Sequence, residues 1–372
     1  MVTTAEELMF IETESFELLK GFDYIELYVG NARQAAHFYR TAFGFKPIAY
    51  SGLETGVRDR TSIIVQQNDI TLMLTAPLTP ESPVAEHVKL HGDDVKDIAL
   101  TVVDAELSFE IAIENGARPI MPPTIIESDE GSVKKATIGA FGDTVHSFIE
   151  RNGHGRSFFP GFQPIKNAAP TIPTGLKAID HVALSVKPDQ LDELVEFYRR
   201  VLDFRQSFSE DIVTNYSAMN SKVVENRSGQ IKFPIVEPGF GKHKSQIEEY
   251  LAFHQGPGAQ HIAIVTDDII ATTRALRENG NEFLETPRSY YDMLPDRVGE
   301  IEEDIGELRE LSILVDRDEW GYLMQIFTKP LLNRPTVFME IIQRKRAKGF
   351  GSGNIKALFQ AIEREQAIRG NL

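Results

Sequence analysis

The chain repeats itself, and the repeat constrains most of what it can fold into. The run FDYIELYVGNARQAAHFYRTAFGFKPIAY from Phe22 matches IDHVALSVKPDQLDELVEFYRRVLDFRQSF from Ile179. Each copy opens on an alternating strand, turns, and continues as an amphipathic helix ending near Phe-Tyr-Arg. It then passes through Gly44-Phe45 or Asp203-Phe204 into another strand. A second pair follows: VKDIALTVVDAELSFEIAIENGARPIMPP matches AQHIAIVTDDIIATTRALRENGNEFLETP. Each reads as a strand feeding a helix that stops at Asn-Gly, at Asn115-Gly116 and Asn279-Gly280. The chain therefore holds four strand–helix–strands modules, two per half. A Gly/Pro-rich stretch containing Pro160, Gly161, Pro164, Pro170 and Pro173 separates the halves. The expected division is an N-terminal unit over 1–152, a linker over 153–174 and a C-terminal unit over 175–372. The spacing of Ile355, Leu358, Phe359 and Ile362 predicts a tail helix from about Asn354.

A length of 372 residues suits two cores rather than one. The net charge of −16 argues against nucleic acid as a partner, because phosphate binding needs clustered Lys and Arg. The basic run Arg344-Lys345-Arg346 reads as a solvated connection. Zero cysteines exclude disulfides, thiolate ligands and iron–sulfur clusters. The opening run MVTTAEELMFIETESF is acidic and lacks the basic and apolar blocks of a secretory signal. No apolar run approaches the ~18 residues of a membrane span. The expectation is a cytoplasmic protein with no membrane partner.

His181 in AIDHVAL, His261 in AQHIAI and Glu340 in VFMEIIQR lie 80 and 79 residues apart, one per repeated strand segment. A lone histidine on a strand is more often a packing or surface residue than a ligand. Three residues of ligand type at equivalent repeat positions argue otherwise, since strands of one curved sheet can aim alternate side chains into a common cavity. The repeat also supplies a control: Tyr24 falls opposite His181, Asp97 opposite His261 and Ser147 opposite Glu340. One half carries the set and the other does not, so the N-terminal half reads as a structural or oligomerising copy. Two imidazoles and a carboxylate without cysteine suit one non-haem Fe(II) per chain, with positions left open for substrate and dioxygen. The remaining histidines do not share the register. His37 lies on a predicted helix, and His254 lies in a turn-like FHQGPG segment.

The C-terminal half resembles the 4-hydroxyphenylpyruvate dioxygenase and 4-hydroxymandelate synthase family. The matching runs are KSQIEEYL from Lys244, GAQHIAI from Gly258, YYDMLPDR from Tyr290, GYLMQIFTKP from Gly321, RPTVFMEIIQR from Arg334 and GFGSGNIKALFQAIEREQ from Gly349. The N-terminal half matches more loosely, through HGDDVKDIAL and ATIGAFGDTVHSFIER. The resemblance implies an α+β vicinal-oxygen-chelate fold, with four βαβββ modules in two half-open barrels. It also implies His181, His261 and Glu340 as iron ligands. It further implies an aromatic 2-oxo acid and dioxygen as substrates, and a homo-oligomer. By the same resemblance Ser221, Gln246, Gln260 and Gln325 line the site with polar groups, Phe327, Phe338 and Phe350 form apolar walls, and Pro234 and Asn354 lie beside the substrate. A phenylalanine in an apolar strand is ordinarily core. Glutamines inside apolar stretches are harder to dismiss, since a buried amide needs a partner.

Two products compete within this family. The homogentisate-forming pattern reads PINEP where this chain has Pro234-Ile235-Val236-Glu237-Pro238, and GNF where it has Gly353-Asn354-Ile355. At Val236 and Ile355 the chain resembles the hydroxymandelate synthases, as it does in Ala218-Met219-Asn220-Ser221, whereas Pro234 follows the homogentisate enzymes. The expectation is 4-hydroxymandelate, with homogentisate as the alternative. An extradiol ring-cleaving enzyme or a non-catalytic binding module on the same fold are the more distant readings.

Overall fold

Each module starts with a strand, and in three of the four a side-chain cap starts the helix that follows. The computed structural model describes residues 18–128, 131–152, 159–166, 168–214 and 216–371. The opening run read for a secretory signal therefore lies outside the described residues, apart from the sequence that follows it. The first sheet takes β1 (Leu19–Tyr28), β2 (Lys46–Ser51), β3 (Arg60–Gln67), β4 (Ile70–Pro77), β5 (Asp94–Val102), β6 (Arg118–Ser128), β7 (Gly131–Phe141), β8 (Thr144–Asn152) and β9 (Gln163–Pro164). Its order is β6-β7-β8-β5-β1-β4-β3-β2-β9. The short β9 falls inside the segment expected to be linker and pairs with β2. The second sheet takes β10 (Leu176–Ser185), β11 (Arg205–Val213), β12 (Ala218–Glu225), β13 (Lys232–Gly239), β14 (Gly258–Thr266), β15 (Leu314–Arg317), β16 (Tyr322–Phe327) and β17 (Phe338–Lys345). Its order is β11-β12-β13-β10-β14-β17-β16-β15. The four βαβββ modules and the vicinal-oxygen-chelate arrangement are as expected. In both sheets an antiparallel pair of module-opening strands sits at the centre, flanked by parallel pairings.

The helices are α1 (Ala32–Phe43), α2 (Pro83–His91), α3 (Ala105–Glu114), α4 (Leu191–Leu202), α5 (Gln246–His254), α6 (Ile269–Glu278), α7 (Arg288–Asp292), α8 (Leu294–Val298), α9 (Ile305–Leu311) and α10 (Ser352–Arg369). Asn31, Asp104 and Asp268 cap α1, α3 and α6 by accepting hydrogen bonds from backbone amides of the first turn. The Gly44 and Asp203 positions matched in the sequence both close their helices in the left-handed region, each donating its N–H to the carbonyl of the helix tyrosine, Tyr39 or Tyr198. An aspartate tolerates this conformation better than most side chains. The Asn-Gly stops also hold, with Asn115 and Asn279 as C-caps. The last module departs from the repeat: α7, α8 and α9 intervene between α6 and β15. Among the described residues no helix is long and apolar enough to cross a membrane.

Buried residues of both halves join one hydrophobic cluster. At the seam, the fully buried Phe233 ring stacks on Phe204 at 5.9 Å and lies 4.9 Å from Tyr198 and edge-on to Phe22. The buried His146 donates from Nδ1 to the Ile98 carbonyl at 2.9 Å and accepts the Tyr198 hydroxyl at Nε2, 2.8 Å away. Burial lowers the pKa of His146, which keeps it neutral and able to accept. Phe233→Ala is expected to cost about 3–5 kcal/mol, from lost transfer energy and the cavity left behind. Chemical denaturation of the variant against the wild type measures it.

Candidate metal centre

His181 lies on β10, His261 on β14 and Glu340 on β17, three adjacent strands of the second sheet. The register brings them together: Ala183 pairs with His261, His181 with Ala263, and Ala263 with Glu340. One ligand atom from each lies within 4.8 Å of the others, and all three residues are buried. The Glu340 Oε2 atom stands 3.3 Å from His181 Nε2 and 3.4 Å from His261 Nε2.

The strands carry irregularities at the two histidines. The β10–β14 register shifts between Ile179 and His181 and again between Ala183 and Leu184, so Asp180 and Gln260 are the extra residues of β-bulges. A bulge lets two successive side chains reach one side of a strand. Asp180 Oδ1 consequently accepts from His181 Nδ1 at 2.8 Å, and Gln260 Oε1 accepts from His261 Nδ1 at 3.2 Å. Each imidazole is thus held at Nδ1 and turns Nε2 toward the carboxylate. Burial pushes the Glu340 carboxyl up, but the two imidazoles outweigh it and hold its pKa down to about 2. Burial, with His181 beside it, leaves His261 below its ordinary value, whereas His181, buried too, is raised by Glu340 and Asp180. Two imidazoles held at Nδ1 and one carboxylate, converging without cysteine, fit a divalent cation.

Behind His181, Arg344 grips Asp180 with Nε and a terminal nitrogen, both at 2.8 Å. The basic run is therefore not simply a solvated connection. Arg344 turns inward as a partner of the metal centre, Lys345 pairs with Glu302 and Glu303, and only Arg346 is exposed. Sequence reasoning missed Asp180 and Arg344. The signal was present in the repeat, because Asp23 and Arg151 occupy the same offsets and form the same ion pair in the first half.

The residues expected around the metal are placed as follows. Phe338 stacks on His261 at 4.8 Å, Phe327 meets that ring edge-on and Phe350 meets His181 edge-on. Gln325 Nε2 donates to Glu340 Oε1 at 2.8 Å, and Asn354 Nδ2 donates to Gln325 Oε1 at 2.9 Å. Gln246, the first residue of α5, shares a small cavity with Gln260 and Phe338, and its Oε1 has no hydrogen-bond partner among the described residues. Ser221 pairs in register with Val236, and Pro234 lies two residues before it on β13. Val236 and Ile355 join one apolar cluster with Ile212, Met219, Ile247 and Phe359. His37 is exposed on α1. His254 ends α5 rather than lying in a loop, and donates across the seam to Asp94 at 2.8 Å.

In the first half the counterpart positions are filled differently. Lys135, which takes the register position of Gln325, donates to the Tyr24 hydroxyl oxygen at 2.7 Å and to Asp97 Oδ2 at 3.3 Å. Tyr24 donates to Asp97 Oδ2 at 3.1 Å and Ser147 Oγ donates to the same atom at 2.5 Å. An ammonium group stands in for the metal cation.

The class this defines is the glyoxalase/dioxygenase superfamily. Residues 178–304 match the Glyoxalase/Bleomycin resistance protein/Dioxygenase superfamily, and residues 16–161 match the hydroxyphenylpyruvate dioxygenase N-terminal family. The chain is 44% identical to a 4-hydroxyphenylpyruvate dioxygenase of Yarrowia lipolytica, over 97% of this chain and 95% of that protein. It is 44% identical to that of Dictyostelium discoideum, over 95% of this chain and 100% of that protein. A solved triple mutant of 4-hydroxymandelate synthase from Streptomyces coelicolor superposes with a TM-score of 0.84 at 37% identity, covering 94% of this chain and 99% of that one. The chain belongs to the 4-hydroxyphenylpyruvate dioxygenase family, and it is a dioxygenase of that kind.

Lys135→Met removes the only cation bonded to the mostly buried Asp97 among the described contacts. The expected loss is about 3 kcal/mol of stability, the low end for a broken buried ion pair. Metal content per chain should stay unchanged, and elemental analysis beside a denaturation curve checks both.

Proposed function

We propose that the chain converts 4-hydroxyphenylpyruvate and dioxygen into 4-hydroxymandelate and carbon dioxide, using one Fe(II) held by His181, His261 and Glu340. The observation that carries the product is the shared apolar cluster of Val236 and Ile355. These are the two positions where the sequence leaves the homogentisate pattern, and both fall in one apolar cluster with Phe359. Bound there, ferrous iron would supply activation of dioxygen and of the 2-oxo acid. The protein's share is orientation and dryness. Phe327, Phe338 and Phe350 pack on the imidazoles and keep water from them. Ser221, Gln246, Gln260 and Gln325 offer polar groups to the substrate. An aromatic wall would stack on the substrate ring and hold it for attack. Branched aliphatics at both positions, without an amide, leave the benzylic carbon as the group presented.

The same reading assigns catalysis to residues 175–372, a structural and oligomerising role to residues 1–152 and a connecting role to residues 153–174. It includes a homo-oligomer located in the cytoplasm. The tail helix serves as the cover. Its buried Glu363 accepts from Thr214 and Ser217, and Arg369 donates to Glu249 on α5.

Three outcomes test these statements. His261→Ala should lower iron affinity on the order of 100-fold or more, since loss of an outer partner alone costs 10–100-fold. Equilibrium dialysis of the metal-free protein reads it, and a fully active His261→Ala enzyme would overturn the ligand assignment. Deleting the tail from Gly353 should raise oxygen consumption per product formed, measured with an oxygen electrode and product assay. Ile355→Phe should raise the share of homogentisate, and adding Val236→Asn should raise it further. The two residues share a cluster, so their effects need not add. The two products are isomers, so chromatography against standards separates them. If the residues only fill volume, the larger ring overpacks the site and lowers turnover at a fixed ratio. A wild type that makes homogentisate alone overturns the product assignment and leaves the iron and keto-acid reading standing.

A further inference from the structure

We propose that Tyr290 is a positioning residue for the metal-binding carboxylate, acting through Asn354 and Gln325, so that seating of the tail helix and the set of Glu340 are coupled. The proposal rests on the metal reading above. Four buried side chains from four separate elements form the path: Tyr290 on α7, Asn354 on α10, Gln325 on β16 and Glu340 on β17.

The direction of every hydrogen bond along it follows from one end. An ionised carboxylate only accepts. Its Oε2 faces the imidazoles, so Oε1 takes the Gln325 NH2 at 2.8 Å. That choice turns Gln325 Oε1 away from the metal, where it accepts from the Asn354 NH2 at 2.9 Å. Asn354 Oδ1 then faces the Tyr290 hydroxyl at 2.7 Å and shares its single proton with the Val315 carbonyl, 2.8 Å from the same oxygen. The Tyr290 oxygen accepts in turn from the Val315 amide at 2.9 Å. Donors thus point one way, from a backbone amide to the carboxylate, and bonds so aligned polarise one another.

The Tyr290 proton decides which way the Asn354 amide faces. Turned over, its NH2 would donate to the Val315 carbonyl at 2.9 Å and to the Tyr290 oxygen at 2.7 Å, and its oxygen would accept from the Asp316 amide at 3.3 Å but stand 2.9 Å from Gln325 Oε1. Two acceptors would then face each other there and the path to Glu340 would break. In the orientation that reaches Gln325, Oδ1 faces the Val315 carbonyl and the Tyr290 hydroxyl is the donor it keeps. The Arg297 guanidinium lies 4.9 Å over the Tyr290 ring and fixes the phenol in place. The tail is held where the path needs it, because Asp316 accepts from the Gly353 amide at 2.9 Å. Gly351, at φ +75°, passes so close that a Cβ there would lie 2.5 Å from Gln325 Oε1.

The test is a metal titration of metal-free protein with Fe(II) under anaerobic conditions, and with Co(II), each against a competing chelator. Tyr290→Phe should weaken affinity roughly 10-fold, the low end for loss of an outer partner of a ligand. It should also lower kcat while the KM for the keto acid stays within about twofold, and alter the visible spectrum of the Co(II) form. Asn354→Asp keeps the acceptor for Tyr290 but removes the NH2, so it should reproduce the loss. The double variant should be no weaker than the worse single one. Tyr291→Phe removes a neighbouring buried hydroxyl outside the path and should leave affinity unchanged. Tyr290→Phe within twofold of a tightly binding wild type, or losses that add in the double variant, overturns the proposal alone. Should Tyr290→Phe fail to fold, Asn354→Asp decides by the same criterion. A wild type that binds neither ion overturns the metal reading and this proposal with it.

Discussion

A carboxylate buried between two imidazoles is the constraint around which the second half is built. Burying an ion unpaired would cost several kcal/mol or force it to neutralise. Glu340 avoids this only because its surroundings are specified on all sides. The Nε2 sides of two imidazoles and a Gln325 amide face its two oxygens. Each imidazole is in turn set by a bulge residue, and Arg344 fixes one of those residues from behind. Two imidazoles and a carboxylate so placed make a donor set that fits a divalent ion.

The first half solves the same electrostatic problem without a metal. It keeps the strand pairing, the bulged Asp23 and the Arg151 that grips it. What changes is the centre, where Lys135 supplies a permanent positive charge to Asp97 and Tyr24. The lysine fills this centre with its own side chain, and among the described residues a group of metal-ligand type gathers only in the second half. The comparison separates two things the fold does: the bulges and Asp–Arg pairs belong to the scaffold, and the ligand set is grafted upon it.

The tail helix ties these layers together. It brings Asn354 to Gln325, Ile355 and Phe359 to the apolar cluster of Val236, and Glu363 and Arg369 to hydrogen bonds with the β11–β12 turn and α5. One element therefore meets the Glu340 side, the Val236 cluster and α5. A change in how it seats would reach all three. This suits a reaction that must exclude water while reagents are assembled.

The sequence by itself determined the four modules, their helix stops, the three ligand positions and their altered counterparts in the first half. All of these rest on periodicity and on comparison within one chain, which need no knowledge of distance. The same comparison held Asp23, Arg151, Asp180 and Arg344, but a conserved offset does not say which side of a strand a residue faces. Only the tertiary structure placed the bulges at Asp180 and Gln260 that turn neighbouring side chains to one side. Only it showed that Arg344, in a run of basic residues, points inward, and that Tyr290 from an inserted helix meets Asn354 from the tail. Pattern along a chain fixes which residues belong to the same element. The meeting of side chains from strands and helices far apart depends on register, twist and packing, and those are decided when the sheets close.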